Sequence, residues 1–306
     1  MPAANHSILR DSAPHWQRSQ RLARLATQAL IAEAELTPKP GLVDQRGAGA
    51  HHDLSLELMR RSANVLKPYF ATMAFVSGSR NVDTGLRQDL AAIGRAAERA
   101  MFRATSGTNT HKGAIWTLGL LVAATARAER QNAAEIAALG GTIARVPLRG
   151  LPASITHGDV ARMRYGAAGA RGEAWKGFPH IVQYGLPMLR KGHVEGRSEV
   201  INRLDALIAM MARLDDTCVL YRGGIEALSV VKSGAKAVLA AGGYGQASGR
   251  RRLHQLDREL IARHISPGGS ADLLAATIFL AALERPQSAA GAPLSQHEES
   301  HGTIEV

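Results

Sequence analysis

The chain has 306 residues, with 37 basic against 26 acidic, a net charge of +11, 45% hydrophobic residues and one cysteine. The hydrophobic share is that of a globular protein with a sizeable core, and a lone Cys218 excludes an internal disulfide and a zinc site of the CxxC type. The positive charge favours anionic partners without naming one, and it would speed the capture of a polyphosphate substrate.

Aromatic residues make up only 4%, and alanine, leucine and arginine dominate, which favours helix. Residues 1–15 are expected to be a flexible tail and lack the apolar core of a signal peptide. A helix is predicted over 16–36, with Leu22, Leu25, Ala26, Ala29 and Leu30 on one face. Glu33 continues that face, where a carboxylate needs a partner. The helix stops before Pro38. The loop Thr37-Pro38-Lys39-Pro40-Gly41-Leu42-Val43-Asp44 carries one cation and one carboxylate, stiffened by two prolines. A second helix is predicted over 54–70, capped by Asp53, with Leu54, Leu58, Val65 and Tyr69 inward. A third follows over 85–104, its stripe formed by Leu86, Leu90, Ile93, Ala97 and Met101, with Glu98 at the stripe's edge.

The turn Thr108-Asn109-Thr110-His111-Lys112-Gly113 then opens a helix that is apolar all round through 126, which marks it as buried. This run is too short to span a bilayer, so a cytoplasmic protein with no membrane partner is expected. Lysine is unfavourable at a helix start unless an anion is held there. An ordinary helix start with exposed Lys112 and His111 is the alternative. Helices are predicted over 132–143, 159–170, 180–190 and 196–214, followed by Asp215-Asp216-Thr217. A segment over 225–241 follows Arg222-Gly223-Gly224, and a basic helix spans 250–264. The break Ser266-Pro267-Gly268-Gly269-Ser270 leads into a last helix over 271–283, and 285–306 is expected to be a flexible tail. Cys218 stands in an apolar setting and reads as a core residue, not a nucleophile.

No segment alternates with a period of two and no internal repeat is present. The expected architecture is therefore all-α, one compact multi-helix domain over 16–284 with ligand-binding loops at helix ends. Gly107 is not followed by the glycine–lysine pair of a P-loop, and Gly47-Ala48-Gly49 lacks the third glycine of a dinucleotide fold. His51 and His52 have no third ligand at a metal-like spacing. Five loops, 37–53, 105–113, 166–179, 215–224 and 266–272, each join Gly or Pro to a charged residue at a helix end, the kind of place where an all-α protein binds ligands. Lys39, Lys112, Arg171 and Arg222 are candidate phosphate cations. Glu33, Asp44, Glu98, Glu173, Asp216 and Asp272 are candidate Mg²⁺ ligands or a catalytic base.

These loops carry a resemblance. Glu33, the 37–44 segment, Gly49, Ala50, His51 and Asp53, Ala97, Glu98 and Met101, Thr105 and Asn109-Thr110-His111-Lys112-Gly113 match in order. So do Gly169-Ala170-Arg171-Gly172-Glu173-Ala174, Gly177-Phe178-Pro179, Asp216-Thr217, Arg222-Gly223-Gly224 and the 266–274 segment. Over residues 20–284 the chain resembles the triphosphoribosyl-dephospho-coenzyme-A synthases, which serve citrate lyase and malonate decarboxylase. The Ser62 segment and His157-Gly158 are more similar to the malonate decarboxylase branch. Leu54 and Trp116 replace an expected methionine and phenylalanine, both with little change of volume.

The resemblance implies that ATP and 3′-dephospho-CoA are joined with loss of adenine. The product, 2′-(5″-triphosphoribosyl)-3′-dephospho-CoA, is the precursor of an acyl-carrier prosthetic group. A downstream transferase for that group is the implied partner. Such a displacement at a sugar carbon needs a proton acceptor, a proton donor and two aligned substrates. Lys39, His111, Lys112 and the backbone after Thr108, with Asn109 and Thr110, are expected at the triphosphate. Arg171 and Arg222 are expected at the diphosphate, and Asp44, Asp216 and Asp272 at Mg²⁺. Glu33 or Glu98, flanked by apolar groups, is the expected acid or base. A nucleic-acid binder would show a cationic stripe with interleaved aromatics, and none is present. A nucleosidase or phosphotransferase acting on ATP is the nearer alternative.

Overall fold

A computed structural model describes residues 4–148 and 156–284. Twelve α-helices and one π-helical turn make up these residues, with no strand among them, so the all-α expectation holds. In chain order the helices are α1 (Ala4–Glu35), α2 (Leu56–Ser77), α3 (Thr84–Ala104), α4 (Lys112–Arg127), α5 (Ala133–Arg145) and α6 (His157–Tyr165). Then come α7 (Gly169–Trp175), the π-turn (Ile181–Gly185), α8 (Leu186–Val194), α9 (Glu199–Met211), α10 (Thr217–Ala240), α11 (Ala247–Ala262) and α12 (Gly268–Glu284). The expected tail over 285–306 lies outside the described residues.

Two helices form the axis of the molecule. Nearly every residue of α4 from Ala114 to Ala126 is buried, as is α12 from Ser270 to Leu280 apart from Asp272. They pack on one another, and α1, α2, α3, α5 and α9 surround them. Each fully buried leucine there, such as Leu118, Leu121 or Leu274, contributes about 1.5–3 kcal/mol by leaving water. Close approach requires small residues: a Cβ on Gly119 would meet Met73 Sδ at 2.8 Å.

Several boundaries differ from the sequence reading, each for a local reason. Helix α1 begins at Ala4, well before residue 16. Ser55, not Asp53, caps α2, its hydroxyl accepting from the Leu58 N–H at 3.2 Å. The buried face of α2 is accordingly Met59, Ser62, Ala63, Leu66 and Phe70, about one position round from the predicted stripe. The predicted 159–170 helix ends at Tyr165, where Gly166 adopts a left-handed cap (φ 69°), and 169–175 forms a separate turn of helix. Asp216 starts α10 instead of following the helix before it; the Arg222-Gly223-Gly224 break is a kink inside α10, with Gly224 at φ 68°, ψ −160°.

Candidate active site

The turn before α4 folds inward. Thr105 donates to the Met101 and Thr108 carbonyls at 2.9 and 2.5 Å, and Asn109 Oδ1 accepts the Lys112 N–H at 3.1 Å. Asn109 thus serves the helix start. His111 is 2% exposed. Its Nδ1 lies 2.8 Å from Ser62 Oγ, which in turn accepts from Thr110 Oγ1 at 2.6 Å. Ser62 Oγ, having accepted from Thr110, can give its own proton to His111 Nδ1, which would place the ring hydrogen on Nε2. Nε2 is buried and has no partner. Burial first, and the Lys39 charge second, hold the imidazole down at about 3. His111 is therefore a neutral N–H donor rather than a cation. Lys112 is half-exposed, its Nζ 3.5 Å from Glu98 Oε2.

Asp272 ties α12 to α4. Its carboxyl accepts the Ala114 N–H in the first turn of α4, and a Cβ on Gly113 would collide with it. The residue as a whole is half-buried but its carboxyl is enclosed. Burial, then the neighbouring Glu33 and Asp216, push its pKa well above the carboxylate range. Asp216 caps α10 through the Cys218 N–H at 2.9 Å and holds the start of α12 through the Gly269 N–H at 3.3 Å, the Ser270 N–H at 2.8 Å and Ser270 Oγ at 3.0 Å. Burial raises Asp216 as well, against those bonds. Cys218 is half-buried beside Gly268, outside the core proper. Burial and the two aspartates push its thiol up, so it stays protonated and is a poor nucleophile.

Glu33 finds the partner its position demands. Lys39, 1% exposed, places Nζ 2.5 Å from Glu33 Oε1 and 2.6 Å from the Glu33 carbonyl. Lys39 therefore stands behind the site, facing Glu33, and not at its surface. Asp44 locks the same loop: it accepts the Lys39 N–H at 2.9 Å and the Arg46 guanidinium at 2.7 Å. Arg46 reaches on to Asp257 of α11 at 2.7 Å, and Asp257 also accepts the Gly41 N–H at 3.0 Å. His51 bridges loops, with Nε2 2.8 Å from Ser266 Oγ and Nδ1 3.2 Å from the Arg222 guanidinium. Burial, then Arg222, lower His51 to about 4.

The structure thus links Glu33, Lys39, His111, Lys112, Asp216, Arg222 and Asp272 at one meeting of helix ends. The 166–179 loop borders it through Gly169, whose Cβ position lies 3.2 Å from Thr217. Arg171 is exposed on α7 and Glu98 pairs with Lys112. The three aspartates expected at Mg²⁺ do not form a cage. Asp44 is taken by Arg46, Asp216 by the start of α12, and no group of three or more potential metal ligands occurs among the described residues. In this cluster the carboxyls raised by burial are Asp216 and Asp272, residues expected as metal ligands rather than as acids. Sequence reasoning missed Ser62, Arg46, Asp257 and Ser266. Asp257 had a signal, since it shares the apolar face of Leu253, Leu256 and Leu260 as Glu33 shares that of Leu30. The others are visible only once distant loops are brought together.

A helical chain whose charged loops meet at helix ends fits one family in particular. Residues 19–290 match the CitG family, described as ATP:dephospho-CoA triphosphoribosyl transferase. The chain belongs to that family and is an enzyme of the transferase class. It is 51% identical over 271 residues to a protein of Pseudomonas paraeruginosa, covering 88% of this chain and 92% of the relative. It is 53% identical over 261 residues to one of Pseudomonas aeruginosa, covering 85% and 89%. A protein of Azotobacter vinelandii is 48% identical over 284 residues, covering 92% and 96%. Each is named a probable 2-(5″-triphosphoribosyl)-3′-dephosphocoenzyme-A synthase. No solved structure matches the chain. No helix among the described residues is long and apolar enough to cross a membrane.

Proposed function

We propose that this enzyme joins ATP to 3′-dephospho-CoA. The acceptor's ribose 2′-hydroxyl attacks C1′ of ATP's ribose, the bond from C1′ to adenine breaks, and the triphosphate remains on the product. What supports the reading is the Asp272 carboxyl, seated on the first turn of α4 beside Glu33 and raised above the ordinary carboxylate range by burial and by that neighbouring charge. A protonated acid suits a departing nucleobase nitrogen, and a carboxylate suits the attacking hydroxyl. Asp272 gives the proton to adenine, and Glu33 takes the proton of the 2′-hydroxyl. Glu98 steadies Lys112, whose ammonium and neighbouring N–H groups grip the triphosphate with the His111 Nε2–H. Lys39 supports Glu33 from behind. Arg222 and Arg171 face the acceptor's diphosphate. Mg²⁺ enters as a companion of ATP's phosphates, as that ion commonly does.

The product feeds the acyl-carrier prosthetic group of malonate decarboxylase, through a downstream transferase and within the cytoplasm. The Ser62 segment and His157-Gly158 favour that branch over citrate lyase. The test mixes protein, ATP, Mg²⁺ and 3′-dephospho-CoA and follows free adenine. Adenine released only with both substrates supports the reading. Adenine without acceptor means a nucleosidase, and ADP a phosphotransferase; either overturns it.

A further inference from the structure

Arg87 is a buried cation without a counter-charge. It lies on α3, 4% exposed, with its guanidinium 4.9 Å from the centre of the Trp116 ring. Its Nε has no hydrogen-bond partner, and neither does the buried Nε1 of Trp116. No carboxylate among the described residues pairs with it; the charges it feels are Arg171 of α7 and Arg95 of its own helix. Folded proteins seldom enclose a guanidinium without a carboxylate, because the lost hydration has to be replaced. Here two further cations add to the strain, and two enclosed N–H donors await an acceptor.

The place matters as much as the imbalance. Trp116 stands one helical turn beyond Lys112 on the same face of α4, about 6 Å along the axis. Lys112 itself faces Glu98 across the seam between α3 and α4. The seam therefore runs from the proposed triphosphate grip directly to Arg87, with Arg171 at its rim.

We propose that Arg87, the Trp116 Nε1–H and Arg171 form an anion subsite that takes the diphosphate of the acceptor nucleotide. The choice of acceptor rests on the reaction proposed above; the anion subsite itself does not. A guanidinium binds phosphate oxygens in pairs and an enclosed indole N–H adds a third donor. More than one anionic charge is needed to balance Arg87, Arg171 and the neighbouring Arg95, which fits a diphosphate better than a single carboxylate.

The test uses the full chain and calorimetric titration with 3′-dephospho-CoA alone and with ATP alone, comparing wild type, Arg87→Met and Arg87→Lys. Arg87→Met should weaken 3′-dephospho-CoA binding at least tenfold and leave ATP binding within twofold, and Arg87→Lys should recover part of the loss. Without ligand, Arg87→Met should melt at or above the wild-type temperature, because an unpaired buried charge has been removed. Unchanged 3′-dephospho-CoA binding overturns the proposal. So does a melting temperature well below wild type with binding lost only in step with unfolding, which would make Arg87 structural. Loss of ATP binding with the acceptor unaffected would assign the subsite to the triphosphate and overturn the acceptor assignment. Wild-type protein that binds 3′-dephospho-CoA through Arg87 but releases no adenine would sink the reaction and keep the subsite. Adenine release with unaltered acceptor binding in Arg87→Met would do the reverse.

Discussion

Lys39 and Arg87 are both buried cations, and they are treated in opposite ways. Lys39 is matched by the Glu33 carboxylate and carbonyl within 2.6 Å. Arg87 has an aromatic face, two other arginines and no carboxylate. A matched charge holds the chain together and is costly to break, whereas an unmatched one makes the empty protein less stable and stores affinity for an anion. The two corners are held by opposite means within one fold.

The largest effect should come from the carboxyl at the centre of the contrast. Asp272→Asn removes the proton donor while keeping the acceptor oxygen for the Ala114 N–H. Turnover should fall about 10²–10⁴-fold, with ATP binding near wild type by equilibrium titration; a variant of normal turnover would refute the role. Next, Lys39→Met should strip Glu33 of its counter-charge and lower unfolding stability by about 3–5 kcal/mol, read by denaturant titration. An unaffected stability would mean that the Lys39 corner is no scaffold.

A third expectation concerns pH. His111 and His51 are held at about 3 and about 4, below the ordinary 6.5, so below pH 6.5 the unfolded chain binds protons that the folded one refuses. Their stabilisation is complete above pH 6.5 and declines as pH falls towards 4, by up to about 1.4 kcal/mol per unit for each histidine. Asp216 and Asp272 act in the other direction. Being raised, they stabilise the fold at low pH and lose that contribution as pH rises past the ordinary carboxylate value towards their own. His51→Asn should flatten the decline between pH 6 and 4; an unchanged slope would show that His51 does not resist protonation. Smallest of all, Glu98→Gln should weaken ATP binding no more than tenfold, since its partner Lys112 is half-exposed and the pair is long at 3.5 Å. A drop in turnover at intact ATP affinity would instead make Glu98 an acid or base.

One helix of the axis was open to sequence reading because α4 is apolar all round, which only an enclosed helix tolerates. The stripe of α3 was readable for a similar reason, as Leu86, Leu90, Ala97 and Met101 are buried. The start of α2 was not, since Asp53 and Ser55 are both good caps and the choice depends on how the loop before them packs. In the site, Glu33 announced its need for a partner, but nothing local named Lys39 or buried it. Arg87 carries no mark in the sequence: it adjoins an apolar stripe like many solvated arginines, and only the neighbouring helix encloses it. His111 read as a triphosphate contact or as an exposed group at an ordinary helix start, and the depth of that start, which nothing local marks, holds it neutral.

Asp272 lies on the last described helix, yet its carboxyl completes the first turn of a helix that begins 160 residues earlier, at Lys112. With the role proposed for Asp272, chemistry during synthesis would wait until α12 has cleared the ribosome and docked. A chain that stops short of α12 would leave the first turn of α4 without that carboxyl.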